Sequence, residues 1–154
     1  MPNYKGHLCG GIAIYGLTLF LISHYLYAPN FITSLEWLFF ACAGALFPDV
    51  DTKSKGQKWY FRFLFILLLY ALCTNYTYGM WFAMFCIVLP LTVKHRGMFH
   101  RIWFVVGIPV AAGLISCAYI PWCRTVIWYD TLFFILGALS HIWLDLGLKR
   151  MFRW

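Results

Sequence analysis

The sequence predicts an all-α fold: a polytopic helical membrane protein of about six spans, some short, as one domain over residues 1–154 with both termini cytoplasmic. Three observations predict it. First, the chain is 63% hydrophobic and only 11% charged, whereas a soluble domain carries about 25% charged residues. Second, apolar runs recur to the end of the chain. A cleaved leader would not produce that pattern. The runs are also continuous, unlike the alternating segments of about ten residues that build an outer-membrane barrel. Third, the cations gather in the short segments between runs, where orientation signals belong.

A bilayer core of about 30 Å needs roughly 20 helical residues, fewer where a helix is re-entrant or the bilayer thins. The first span is expected over about residues 8–27, broken by Pro29 and Asn30. The second, about residues 35–47, ends at Pro48 and gives way to a polar, basic loop over 49–58. The apolar stretch 61–93, at 33 residues, is too long for one ordinary span and divides at Asn75, Tyr76, Thr77, Tyr78 and Gly79 into two short ones. A fifth span covers about residues 102–120, loosened by Gly107, Pro109 and Gly113, and the last about 126–147.

Six crossings place Lys5, Lys53, Lys55, Lys58, Arg62, Lys94, Arg96, Arg101, Lys149, Arg150 and Arg153 on one face and leave Arg124 for the other. The rich face is then cytoplasmic. A single span over 61–93 would move Lys94, Arg96, His95 and His100 across, and both the charge bias and the clustering of ligand-type residues would fail. The net charge of +7 is therefore read as a topology signal. No aromatic-plus-basic pattern of a nucleic-acid module is present. The six cysteines include no CxxC pair and fall mostly in apolar runs, as packing residues do. No disulfide framework is expected.

Four short clusters hold four of the five histidines and three of the five acids: Gly6-His7, Pro48-Asp49-Val50-Asp51, His95 to His100, and His141 to Asp145. His141 and Asp145 are four apart, on one helix face. A titratable pair below the headgroups is costly and points to function, or else to a structural tie between helices. Asp49 and Asp51 follow Pro48, which disfavours a helical Phe47, so the two acids are expected from a loop or tight turn. An extended stretch would turn both acids to one side for a divalent cation, and the alternative is a solvated turn paired with Lys53 or Lys55. His95 and His100 offer neutral imidazoles, and Arg96 and Arg101 offer forks for phosphate or carboxylate. The same loop could simply touch anionic lipid. His7 is an interfacial histidine or a further ligand. Taken together, His7, Asp49, Asp51, His95, His100, His141 and Asp145 form the expected metal-ligand set, sufficient for two metals sharing an aspartate. His24, Glu36 and Asp130 lie toward the other face and are expected to be structural.

The ordered set GH, PDxD, HRG-x-x-H and SH-x-x-x-D resembles the YdjM-like group of bacterial inner-membrane proteins, described as metal-dependent hydrolases that are regulated by or bind LexA. The resemblance runs from His7 to Asp145. Group sequences often read PDIDH, where this chain has Asp51-Thr52-Lys53-Ser54, and HRGxTHS, where it has Met98-Phe99-His100-Arg101. These departures bear on the substrate more than on the metal. The resemblance implies an inner-membrane, multi-pass location and a metal-dependent hydrolase.

The leading functional expectation is a membrane-embedded hydrolase that acts on a membrane lipid or lipid-linked substrate. Nitrogen and oxygen donors without cysteine suit zinc or manganese. Asp51 is the candidate acceptor of the water proton. Arg96 and Arg101, with Lys94, would hold an anionic headgroup and stabilise developing charge. A phosphoester is expected because of the arginines, and the HxxxD helix is distantly similar to zinc-dependent phospholipase C. Two other classes stand beside this one. A metal transporter or sensor would need polar residues through the bilayer, and the far half offers little beyond His24. An adaptor for a cytoplasmic regulator would need more docking surface than loops of at most about 14 residues provide.

Overall fold

A computed structural model describes residues 4–50, 55–74, 84, 87 and 99–147. Among the described residues the chain is helical, without strands. The main helices are α1 (Tyr4–Tyr25), α2 (Phe31–Leu46), α3 (Lys55–Cys73), α4 (Ile102–Tyr119) and α5 (Arg124–Leu146). One-turn 3-10 segments follow α2 at Phe47–Asp49 and precede α5 at Pro121–Cys123. Among the described residues, four stretches are long and apolar enough to cross a membrane: Tyr4–Tyr25, Phe31–Asp49, Ile102–Tyr119 and Pro121–Leu146. They match the expected first, second, fifth and last spans to within a few residues. The α3 helix carries a shorter apolar stretch, Tyr60–Tyr70. The expected division near Asn75–Gly79 lies outside the described residues.

Local chemistry sets the helix ends. The Asn30 side chain accepts a hydrogen bond from the Thr33 N–H at 2.8 Å and caps α2, satisfying a donor that has no partner within the helix. The Tyr15 hydroxyl donates to the Ser34 carbonyl at 2.8 Å and ties α1 to the start of α2. Within the bilayer the Thr131 and Ser140 hydroxyls donate to their own helix, at the Ile127 and Gly137 carbonyls, so neither is left unpaired in hydrocarbon. Gly147 ends α5 with φ of 67°, a conformation that L side chains rarely adopt.

The helices form two antiparallel hairpins, α1–α2 and α4–α5, and α2 packs most extensively against α5. Between apolar helices in lipid the drive is close packing rather than water release. Here it is very close: a Cβ on Gly44 would meet the Phe134 carbonyl oxygen at 2.0 Å, and one on Gly137 the Ala41 oxygen at 2.0 Å. Toward the far turns, Trp37 stacks between Tyr129 and Phe133, with ring centroids 4.9 Å from each, above buried Ala41 and Ile22. At the opposite end Phe47, Val50, Phe99 and Phe104 are buried together, joined by Tyr60 of α3. Large exposed side chains such as Phe20, Phe31, Leu114 and Ile115 face outward along the helices. Exposed Tyr25, Tyr119 and Trp122 mark one level, and exposed Trp103 and Trp143 the other, as in an interfacial aromatic belt.

Candidate metal centre

The apolar cluster at the second end positions the polar one. Asp49 ends the 3-10 turn after α2, next to buried Val50. His100 lies between buried Phe99 and Arg101, the residue that opens α4. His141 and Asp145 sit on successive turns at the end of α5, and His7 in the first turns of α1. Asp49, His100, His141 and Asp145 each offer one donor atom, all within 4.8 Å of one another. His7 joins them through its Nε2, 3.4 Å from Asp145 Oδ1.

One hydrogen bond fixes the chemistry of the centre. His141 Nδ1 lies 2.7 Å from the Ala45 carbonyl oxygen, and the ring is fully buried. A carbonyl only accepts, so Nδ1 carries the proton and donates. In the neutral ring Nε2 is then a lone pair, facing Asp145 Oδ2 at 3.4 Å and Asp49 Oδ1 at 3.7 Å. His100 Nε2 lies 3.6 Å from Asp145 Oδ2. These separations exceed the roughly 2.7–2.9 Å of a charge-assisted hydrogen bond. They fit the edges of a tetrahedron of donors about 2.1 Å from one ion, which are about 3.4 Å long. Among the described residues His141 Nε2 and Asp145 Oδ1 are buried with no hydrogen-bond partner, a costly arrangement for bare acceptors. A cation between them removes that cost. The donor set fits a divalent metal, and the Nδ1–H to carbonyl bond is the outer support that metal-bound histidines usually have. The C-terminal ends of α2 and α5 also meet here, where helix dipoles favour positive charge.

The side chains of Asp49 and His100 are 22% and 18% exposed, against 6% for Asp145 and 0% for His141. The centre thus has a buried floor and an open rim. Arg101 is exposed beside that rim. His24 is remote from it, stacked on Phe20 and against Tyr25.

Of the seven expected ligands, the structure brings His7, Asp49, His100, His141 and Asp145 together. Asp51, His95 and Arg96 lie outside the described residues. Asp49 is presented from a tight turn, as expected, but Phe47 before Pro48 keeps helical angles, φ −59° and ψ −43°, so the stretch through Asp49 is not extended. Phe47–Asp49 is a 3-10 turn and Val50 keeps helical angles, with its N–H bonded to the Phe47 carbonyl. Pro48 sits in the first positions of that turn, where its missing N–H costs nothing. Two features were not foreseen, the Ala45 carbonyl and the glycine crossing that brings it to His141. Small residues at Ala41, Gly44, Ala45 and Gly137 were the available signal.

Fold and centre together define a polytopic helical membrane protein with a His/Asp donor cluster at one end of its bundle. Over its whole length, residues 1–154, the chain matches the YdjM inner membrane protein family and belongs to it; its place is the inner membrane. Comparison with curated proteins and with solved structures found no match.

Proposed function

We propose that the chain is a metal-dependent hydrolase whose site lies at the cytoplasmic surface of the inner membrane and cleaves a lipid-borne phosphoester. The observation that carries this reading is the buried Nε2 lone pair of His141, aimed at two carboxylates at 3.4 and 3.7 Å. Asp49, His100, His141 and Asp145 would hold the ion, and their nitrogen and oxygen donors suit zinc or manganese. Bound there, a divalent ion lowers the pKa of water toward neutrality and polarises the scissile group. The protein's own groups do the rest. Exposed Arg101, at the positive end of α4, binds and orients an anionic headgroup, with Arg96 in the same role. Asp51 accepts the proton from the attacking water. The buried floor of His141 and Asp145 keeps solvent from one side of the centre.

Six crossings with cytoplasmic termini complete the proposal. Asp49 and His100 belong to one donor cluster, which supports an even number of bilayer crossings between them. Two crossings agree with the grouping of eleven of the twelve Lys and Arg residues on one face. The fully buried layer of Trp37, Ala41 and Phe133 closes the bundle between the centre and the far side, which favours hydrolysis over transport. The test is phosphate release from mixed phospholipids by purified protein, with chelation and metal add-back. Release should require the metal. Activity surviving complete metal removal would refute the mechanism, and metal uptake into proteoliposomes without hydrolysis would replace it with transport.

A further inference from the structure

His7 stands outside the four mutually close donors, yet it is 2% exposed and packed against them. Its ring lies flat on that of His141, with centroids 3.7 Å apart and planes inclined by 16°. Both histidines face the same carboxylate through different oxygens. Asp145 Oδ2 faces His141 and His100 at 3.4 and 3.6 Å, while Oδ1 faces His7 Nε2 at 3.4 Å.

An imidazole lone pair lies in the plane of its ring. Stacked rings therefore aim their lone pairs along two separate, nearly parallel planes. A single ion about 2.1 Å from both nitrogens, midway between rings 3.7 Å apart, would sit roughly 60° out of each ring plane, where neither lone pair reaches it well. So His7 is badly placed as a further ligand to the ion held by His141. The ring spacing of 3.7 Å does, however, match the separation of about 3.5–4 Å between ions in two-metal hydrolytic sites. A hydrogen bond from His7 that merely steered Asp145 would close to about 2.7–2.9 Å, well inside the distance present.

We infer that Asp145 bridges two divalent cations, with Oδ2 completing the Asp49–His100–His141 site and Oδ1 beginning a second site with His7 Nε2. This deepens the metal-dependent reading and rests on it. With two described protein ligands the second ion keeps more water, exchanges faster and leaves first under chelation. Its open positions suit oxygens of an anionic substrate.

The test uses full-length protein in detergent, stripped of metal and reloaded with Mn²⁺. Mass spectrometry gives the metal per chain, and electron paramagnetic resonance reports whether the ions are coupled. The wild type should bind two Mn²⁺ with an exchange-coupled spectrum. His7→Ala should bind one and give an uncoupled, mononuclear signal. His7→Gln should behave alike, and the wild-type spectrum decides the matter even if both variants fail to fold. One uncoupled ion in the wild type overturns the bridge and leaves the one-ion centre intact, whereas no bound ion overturns both. His7 variants that keep two coupled ions, or fold and bind none, also overturn it.

Discussion

Replacing Gly137 by alanine should disable the proposed metal centre without altering any of its donor residues. The new Cβ would lie 2.0 Å from the Ala41 carbonyl oxygen, 2.9 Å from its carbon and 3.0 Å from the Ala45 nitrogen. All three are backbone atoms of α2 and cannot rotate aside. Restoring an ordinary 3.4 Å contact from 2.0 Å moves α5 away from α2 by about 1.4 Å. One turn further along, the same shift would open the His141–Ala45 hydrogen bond from 2.7 Å to about 4 Å, beyond any bonding distance. It would also separate Asp49, carried by the 3-10 turn that follows α2, from His141 and Asp145, carried by α5. Loss of the outer support to a metal-bound histidine alone costs about 10–100-fold in affinity, and overpacking costs about 1–3 kcal/mol of stability. Gly16→Ala and Gly107→Ala are the controls, because a Cβ at either meets nothing within 4 Å. The assay is Zn²⁺ affinity by chelator competition, with thermal unfolding followed by circular dichroism. Gly137→Ala should lose at least tenfold in affinity while both controls stay at wild type. Wild-type affinity in Gly137→Ala would refute the claim that this crossing sets the centre.

Other perturbations separate the roles of individual residues. His141→Ala and Asp49→Ala should each lose bound metal in elemental analysis, together with any hydrolysis; full metal content in either removes that residue from the ligand set. Arg101→Ala should keep its metal and lose roughly tenfold or more in kcat/KM toward an anionic lipid, since a hydrogen bond to a charged group is worth about 1.5–3 kcal/mol; unchanged kinetics would remove Arg101 from substrate binding. Reporter fusions after Gln57 and after Gly97 should both report the cytoplasm, and opposite locations would exclude six crossings. Asn30→Ala should lower thermal stability by about 0.5–2 kcal/mol through loss of the α2 cap and leave metal content unchanged, because Asn30 lies at the far turn.

Several features of this protein are determined by sequence alone. Apolar length decides that helices cross the membrane, and the stops at Pro29-Asn30, Pro48 and Gly147 place their ends within a few residues. The i, i+4 spacing puts His141 and Asp145 on one face, because helical geometry is local. Under six crossings, the excess of cations on one side, with one loop histidine and one loop aspartate near it, suggests which motifs meet. What no spacing contains is the rotation of one helix about its axis relative to another. That rotation is set by the contact of Gly137 with Ala41 and of Gly44 with Phe134, between residues far apart in the chain. It alone decides that the Ala45 carbonyl receives the His141 proton across 96 residues. The stacking of His7 on His141, and the use of both Asp145 oxygens, likewise depend on how α1 seats against α5. Local propensity fixes where each helix begins and ends; close packing of small residues fixes which lone pairs face one another, and the chemistry of the centre depends on the latter.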